Sequence, residues 1–280
     1  MPVKLHDLID SEKKMDYIDT NKAAWEEAFE HRLANWGDDN YLRLRSEKFA
    51  FFDSDMKNLV ASLDMQGKDI AQFCCNNGRE LLSMVLDGQA AFGTGFDIAQ
   101  NILAQAQLTA DKAGVTNCEF VLGNILEIPE SFHGRFDLVF FTIGALCWFH
   151  NLTELFAVAS KCLKKNGTLI INDGHPVANM LALPGDEEYN PDNIKQFAFS
   201  YFRQEPWIND SGMHYMSGEY ESKPFIDFSH TISEIINALY TNELSVTRFD
   251  EYDYELGNLG TDAYNGTGLP LSYIMVAQKR

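Results

Sequence analysis

Three features of this 280-residue sequence predict an α/β fold, a doubly wound, mostly parallel seven-stranded sheet with an antiparallel last strand. Five short segments (69–74, 91–97, 118–122, 136–142 and 168–173) are apolar at nearly every position, the pattern of strands buried on both faces of a parallel sheet. Amphipathic helical segments alternate with them, and the connections are short and marked by glycine or asparagine. An N-terminal helical cap and an inserted lid complete the expected architecture.

In chain order, residues 1–65 read as the cap, with helical patterning over 21–34 that carries Ala24, Trp25, Ala28 and Phe29. The core begins at residue 66. After the first strand, a helix over 79–87 places Leu81, Leu82, Val85 and Leu86 on one face and is expected to stop at Gly88. The helix over 98–113 stops at Gly114, and the helix over 151–163 opens with Asn151 and Glu154 at capping-box spacing and ends in KKNG. On that last helix Leu152, Leu155, Phe156, Ala159 and Leu163 form the buried stripe. Residues 176–229 interrupt the alternation with prolines, glycines and many aromatics, which suits a substrate lid or a small core of its own. Residues 230–280 return to the core. A helix over 230–240 buries Ile232, Ile235, Ile236 and Leu239, and strands 245–252 and 271–278 are joined by too little chain for a crossover, so they form an antiparallel pair.

Composition narrows the function. Asp and Glu total 41 against 22 Lys and Arg, and the net charge of −19 repels nucleic acid and anionic membranes, leaving a small-molecule substrate, neutral or cationic, as the expected partner. Five scattered cysteines form neither a disulfide framework nor a metal motif, the histidines have no ligand spacing, and neither a leader nor a membrane span is visible. A cytoplasmic protein without a metal is the expectation; the oligomeric state is not legible.

Ligands of doubly wound sheets lie beyond the carboxyl ends of the strands. The first such turn reads Cys74-Cys75-Asn76-Asn77-Gly78, with one glycine where a dinucleotide loop has two or three. Asn76 and Asn77 tolerate left-handed backbone angles, so they either shape the turn or offer amides to a ligand. Asp97 ends the second strand about 20 residues on, where an acid accepts hydrogen bonds from both hydroxyls of a ribose. Asn124 and Ile125 follow the third strand and suit the edge and face of adenine. Thr142, Ile143 and Gly144 follow the fourth, in an uncharged loop that ends at Trp148. Candidate bases near the mouth are His175, after the fifth strand, and the lid pair His214 and Tyr215; Trp25, Trp148 and Trp207 are candidate aromatic walls for a cationic group.

This order of motifs resembles class I S-adenosylmethionine-dependent methyltransferases of the small-molecule type. GFDIA, GNILEIP, FDLVFFTIGALCWF, LKKNGTLII and the C-terminal LPLSYIMVAQKR carry the likeness, which is fullest over 69–173. It implies S-adenosylmethionine as cofactor. Phe73, Cys74, Cys75, Asn76 and Gly78 would wrap the methionine end, Asp97 and Ile98 the ribose, Asn124 and Ile125 the adenine, and Thr142 to Gly144 the side nearest the sulfonium. The chain departs from the family pattern at Gln72 and Asn124, where acids are common, and at Cys74 and Asn76, where glycine is usual. A methyl displacement with in-line attack is the implied reaction. An NAD-dependent oxidoreductase and a non-catalytic S-adenosylmethionine-binding protein are the alternatives.

Overall fold

The computed structural model describes residues 16–257 and 260–280. Seven strands form one sheet in the order β3-β2-β1-β4-β5-β9-β8. These are β1 (Asp69–Phe73), β2 (Phe92–Asp97), β3 (Cys118–Leu122), β4 (Phe136–Phe141), β5 (Leu163–Gly174), β8 (Leu244–Tyr252) and β9 (Ser272–Lys279). β1 to β5 are parallel, and β9 runs antiparallel to both β5 and β8, so the last two strands form the expected antiparallel pair. A separate antiparallel pair, β6 (Trp207–Asn209) and β7 (Phe225–Asp227), lies in the inserted region.

Helices cover both faces. On one, α6 (Leu152–Cys162) and α8 (Ile232–Thr241) bury Leu155, Phe156, Ala159, Ile235 and Leu239 against Phe141, Leu169 and Met275. On the other, α3 (Ser54–Ser62) and α4 (Arg79–Gly88) pack Met56, Leu59, Leu81 and Val85 on Ile70, Phe140 and Ile274. Each such aliphatic or aromatic side chain contributes about 1.5–3 kcal/mol by leaving water. Helix α5 (Gln100–Ala113) ends at Gly114 in the left-handed conformation, as expected.

Several expectations are corrected. Helix α4 runs through Gly88 and is capped by Gln89 at φ 57, and Leu86 and Ile236 turn to solvent at the rims of their stripes. The KKNG segment is not a turn between helix and strand: α6 is capped by Leu163, which already pairs with Phe136, and the register then jumps to Leu138↔Thr168, so 164–167 bulge out of β5. The cap helix α1 spans Asp16–Glu30, displaced from the 21–34 patterning because residues beyond Glu30 turn back along the roof.

α1 and the inserted pair form a roof above the carboxyl end of the sheet. Asn21 locks them together through both ends of its amide, donating to the Ile226 carbonyl at 2.8 Å and accepting from the Ile226 N–H at 2.7 Å. Trp25, Trp148 and Phe225 make a mutual cluster, with ring centroids 5.4 to 6.1 Å apart. Ala24, Ala28, Ile102 and Met216 complete its buried base. None of the helices among the described residues is long and apolar enough to cross a membrane.

Candidate cofactor and acceptor site

Between the sheet and the roof lies a cavity of about 320 Å³, bordered by the turns after β1, β2, β3 and β4. It sits at the switch point where β1 and β4 diverge, the place the topology assigns to a ligand.

The first turn explains its unusual sequence. Cys74 and Asn76 adopt φ of 54° and 48°, the left-handed region that glycine ordinarily occupies at such positions, and Gly78 follows at 70°. Asn76 sustains the strain locally: its side-chain oxygen accepts the Asn77 N–H at 2.8 Å, and its own N–H binds Asp97 at 2.8 Å. At Gly78 a Cβ would stand 2.5 Å from the Phe120 ring, so glycine is required there for space as well as for φ. Beneath the turn, Gln72 is buried and bridges it to β4, donating to Thr142 Oγ1 at 2.8 Å and accepting from the Leu81 N–H at 3.0 Å. The amide serves both partners without burying a charge, a physical reason for Gln at this position.

Asp97 lines the cavity. Its two oxygens accept N–H groups from Asn76 and Ala99, at 2.8 and 3.1 Å, which leaves further lone pairs to face a ligand. Burial raises its pKa, and these backbone bonds oppose the rise. Asn124 turns its oxygen to the Leu126 N–H, so its amide nitrogen is left for another acceptor. Ile98, Ile125, Thr142, Ile143 and Gly144 also border the cavity, as do Cys74, Cys75 and Asn76. Phe73 and Gly78 do not: Phe73 is fully buried in the sheet core and Gly78 is covered by Phe120.

The loop after β4 is shaped by Asp173, at the end of β5. This buried carboxylate accepts the N–H of Gly144 at 2.5 Å, of Leu146 at 3.3 Å and of Gly174 at 2.8 Å. Burial pushes its pKa up to about 6 against those bonds.

The candidate bases fare differently. His175 is buried outside the cavity, its Nδ1 accepting the Val177 N–H at 3.1 Å and its Nε2 3.0 Å from Glu251 in poor alignment for a hydrogen bond. Burial lowers its pKa, so it is a neutral ring that ties down the turn after β5. His214 is exposed and points away, while Tyr215, next to it on the short helix α7 (His214–Ser217), enters the cavity. Burial pushes the Tyr215 phenol far above its usual pKa, which makes it a neutral donor or aromatic wall and not a base. Trp25 and Trp148 line the cavity; Trp207 does not, since it packs on Phe199, stacks under Arg203 and donates to Ser229 at 2.8 Å. The thiols of Cys74, Cys75 and Cys147 are held well above their usual pKa by burial and stay protonated.

The structure adds residues that no motif marked. Arg79 and Glu80, paired at 2.7 Å, place opposite charges at the start of α4. Asp227, at the end of β7, reaches the cavity from the roof. Arg79 and Glu80 were legible as the first helical turn after the glycine; Asp227 lay in a segment without periodicity and had no signal.

Comparison with known proteins agrees with this geometry. The family model for a methyltransferase domain matches residues 67–215, more than half of the chain and the whole of the first five strands. The chain belongs to the methyltransferase-domain family. A crystal structure of an S-adenosylmethionine-dependent methyltransferase from Mesorhizobium loti superposes on this methyltransferase with a TM-score of 0.58, covering 81% of this chain and 98% of the other at 16% identity. A geranyl diphosphate C-methyltransferase from Streptomyces coelicolor A3(2) gives 0.55, covering 81% and 79% at 12% identity. Both likenesses show the S-adenosylmethionine-dependent methyltransferase fold. An uncharacterized protein of Haemophilus influenzae is 25% identical over 220 residues, 75% of this chain and 81% of its own length.

Proposed function

We propose that this methyltransferase transfers a methyl group from S-adenosylmethionine to a small-molecule acceptor held under the roof. The observation that carries the reading is one continuous cavity with two unlike halves: a polar floor at the strand ends and a ceiling of Trp25 from α1, Tyr215 from α7 and Trp148, with Asp227 of β7 among them. The floor fits the cofactor. Asp97 offers lone pairs to a ribose diol, Asn124 and Ile125 an amide and an apolar face to adenine, and the Arg79–Glu80 pair opposite charges to an amino-acid zwitterion. Left-handed Cys74 and Asn76 give the first turn the course that glycines give elsewhere.

When bound, S-adenosylmethionine supplies a methyl group on a sulfonium, which a nucleophile must approach in line. The chain's own contribution is alignment and dryness. The Asp173-anchored loop and the Trp25–Trp148 wall hold the acceptor against the floor, and the locked roof keeps water out. In this reading residues 1–65 are the cap, 66–175 and 230–280 the cofactor-binding core and 176–229 the acceptor lid. Five cysteines, all free, suit a reducing cytoplasm.

The test is calorimetric titration with S-adenosylhomocysteine and with NAD in parallel. Binding of S-adenosylhomocysteine and not NAD is expected; NAD alone, or neither, would overturn the reading.

A further inference from the structure

Asp227 is the acid of the cavity that the cofactor reading leaves without a task. Strand alternation puts it on the same face of β7 as Phe225, whose ring touches Trp25 at 5.5 Å and Trp148 at 6.1 Å between centroids. Its backbone neighbours are fixed on both sides. Ile226 is clamped by the Asn21 amide, and the Phe228 N–H donates to the Cys147 carbonyl at 2.8 Å, in the loop that follows Thr142 to Gly144. The carboxylate is thereby presented from a rigid frame beside the stretch that closes the reacting end of the cavity.

Neither a hydrogen bond nor an ion pair among the described residues answers its charge. Arg203, the nearest cation acting on it, is engaged elsewhere: its guanidinium lies 3.8 Å above the Trp207 ring and donates to the Glu205 and Pro206 carbonyls. Arg79, the one cation that lines the cavity among the described residues, is paired with Glu80. Burial without a partner is costly for a carboxylate, and it pushes the Asp227 pKa up to about 7. An acid kept in that condition beside two indole rings forms half of a cation site. The rings attract a cation through their quadrupoles and the carboxylate through its charge.

We propose that Asp227 is the acceptor-recognising residue of this enzyme and that its acceptor is an amine, bound in its charged form at the carboxylate against Trp25 and Trp148; the ammonium would pass one proton to the Asp227 carboxylate, and the freed nitrogen lone pair would form the new N–CH3 bond as the S–CH3 bond breaks and S-adenosylhomocysteine leaves. The inference rests on the cavity being a methyltransferase site and adds to it the chemical class of the acceptor.

The probes are benzylamine, benzyl alcohol and benzoate, titrated calorimetrically into the full chain with and without saturating S-adenosylhomocysteine. Wild type is expected to prefer benzylamine to benzyl alcohol by about tenfold or more and to bind benzoate least, in line with a desolvated cation site. Asp227→Asn, of the same shape, is expected to abolish the preference while S-adenosylhomocysteine binding persists. Asp227→Glu should keep the preference, and Trp25→Leu should weaken benzylamine more than benzyl alcohol. Equal affinity for the two probes in wild type, or an undiminished preference in Asp227→Asn, would overturn the proposal. Failure of wild type to bind S-adenosylhomocysteine would remove the cofactor reading instead, and the arm without it would still decide whether Asp227 selects an amine.

Discussion

Three positions in the first turn and its support carry most of the cofactor argument at the residue scale. Cys74 and Asn76 stand where glycine is usual, and the backbone there is left-handed all the same. Neither side chain prevents the left-handed course, and Asn76 supports it through its own side-chain bond to the Asn77 N–H. Gly78 has no such latitude: Gly78→Ala is expected to cost about 2–4 kcal/mol, from the left-handed φ and the collision with Phe120, measured by urea unfolding. Asp97→Ala should weaken S-adenosylhomocysteine binding by about 1.5–3 kcal/mol, the scale of a charged hydrogen-bond partner, with calorimetry as the check. An unchanged affinity would defeat the ribose assignment.

Local capping and the sheet register together set the geometry of whole elements. Helix α8 opens with a capping box: the Thr231 hydroxyl accepts the Glu234 N–H at 3.1 Å and the Glu234 carboxylate accepts the Thr231 N–H at 2.7 Å. Thr231→Ala should therefore lower stability by about 1 kcal/mol in urea unfolding and leave S-adenosylhomocysteine affinity alone. The loop after β4 behaves in the opposite way, because its order comes from a distant residue. Asp173→Ala strips the acceptor from the N–H groups of Gly144 and Leu146, and is expected to cost about 2–4 kcal/mol and to weaken cofactor binding as well.

For the whole molecule, the acidity of the chain becomes a pH dependence with a definite sign. Asp173 and Asp227 have folded pKa values raised to about 6 and about 7, above the ordinary carboxylate value of 3.8. Each favours the fold while it holds its proton. The contribution is full below about pH 4 and is lost as the pH rises through 6 and 7. Asp227→Asn, which mimics the protonated acid, is expected to raise stability at pH 8 by as much as about 4 kcal/mol, with a gain that shrinks toward pH 5, read from denaturant unfolding at the two pH values. A gain equal at both would show that the carboxylate is solvated and not held in the cavity.

What was legible from sequence was whatever depends on near neighbours in the chain. The strands, helix stripes, the turns at strand ends and an acid one unit after the glycine follow from period and spacing, which local backbone geometry dictates; the exception is β3, expected to be buried on both faces, which lies at the sheet edge with none of its residues fully buried. Hence the sheet, and Cys74, Asn76, Asp97, Asn124 and Thr142 at its cavity edge, were all readable. A cap and a lid were expected, but the way they pack into a roof was not legible, because it comes from contacts about two hundred residues apart, such as Asn21 with Ile226. Those contacts decided that Tyr215 faces inward and His214 outward, that Trp25 and Trp148 are walls while Trp207 is packing, and that His175 is buried behind Glu251. They also brought Asp227 to the cavity. Period and spacing state which side of an element a residue takes; what that side meets is decided when distant elements pack, and the roof side of this cavity was made there.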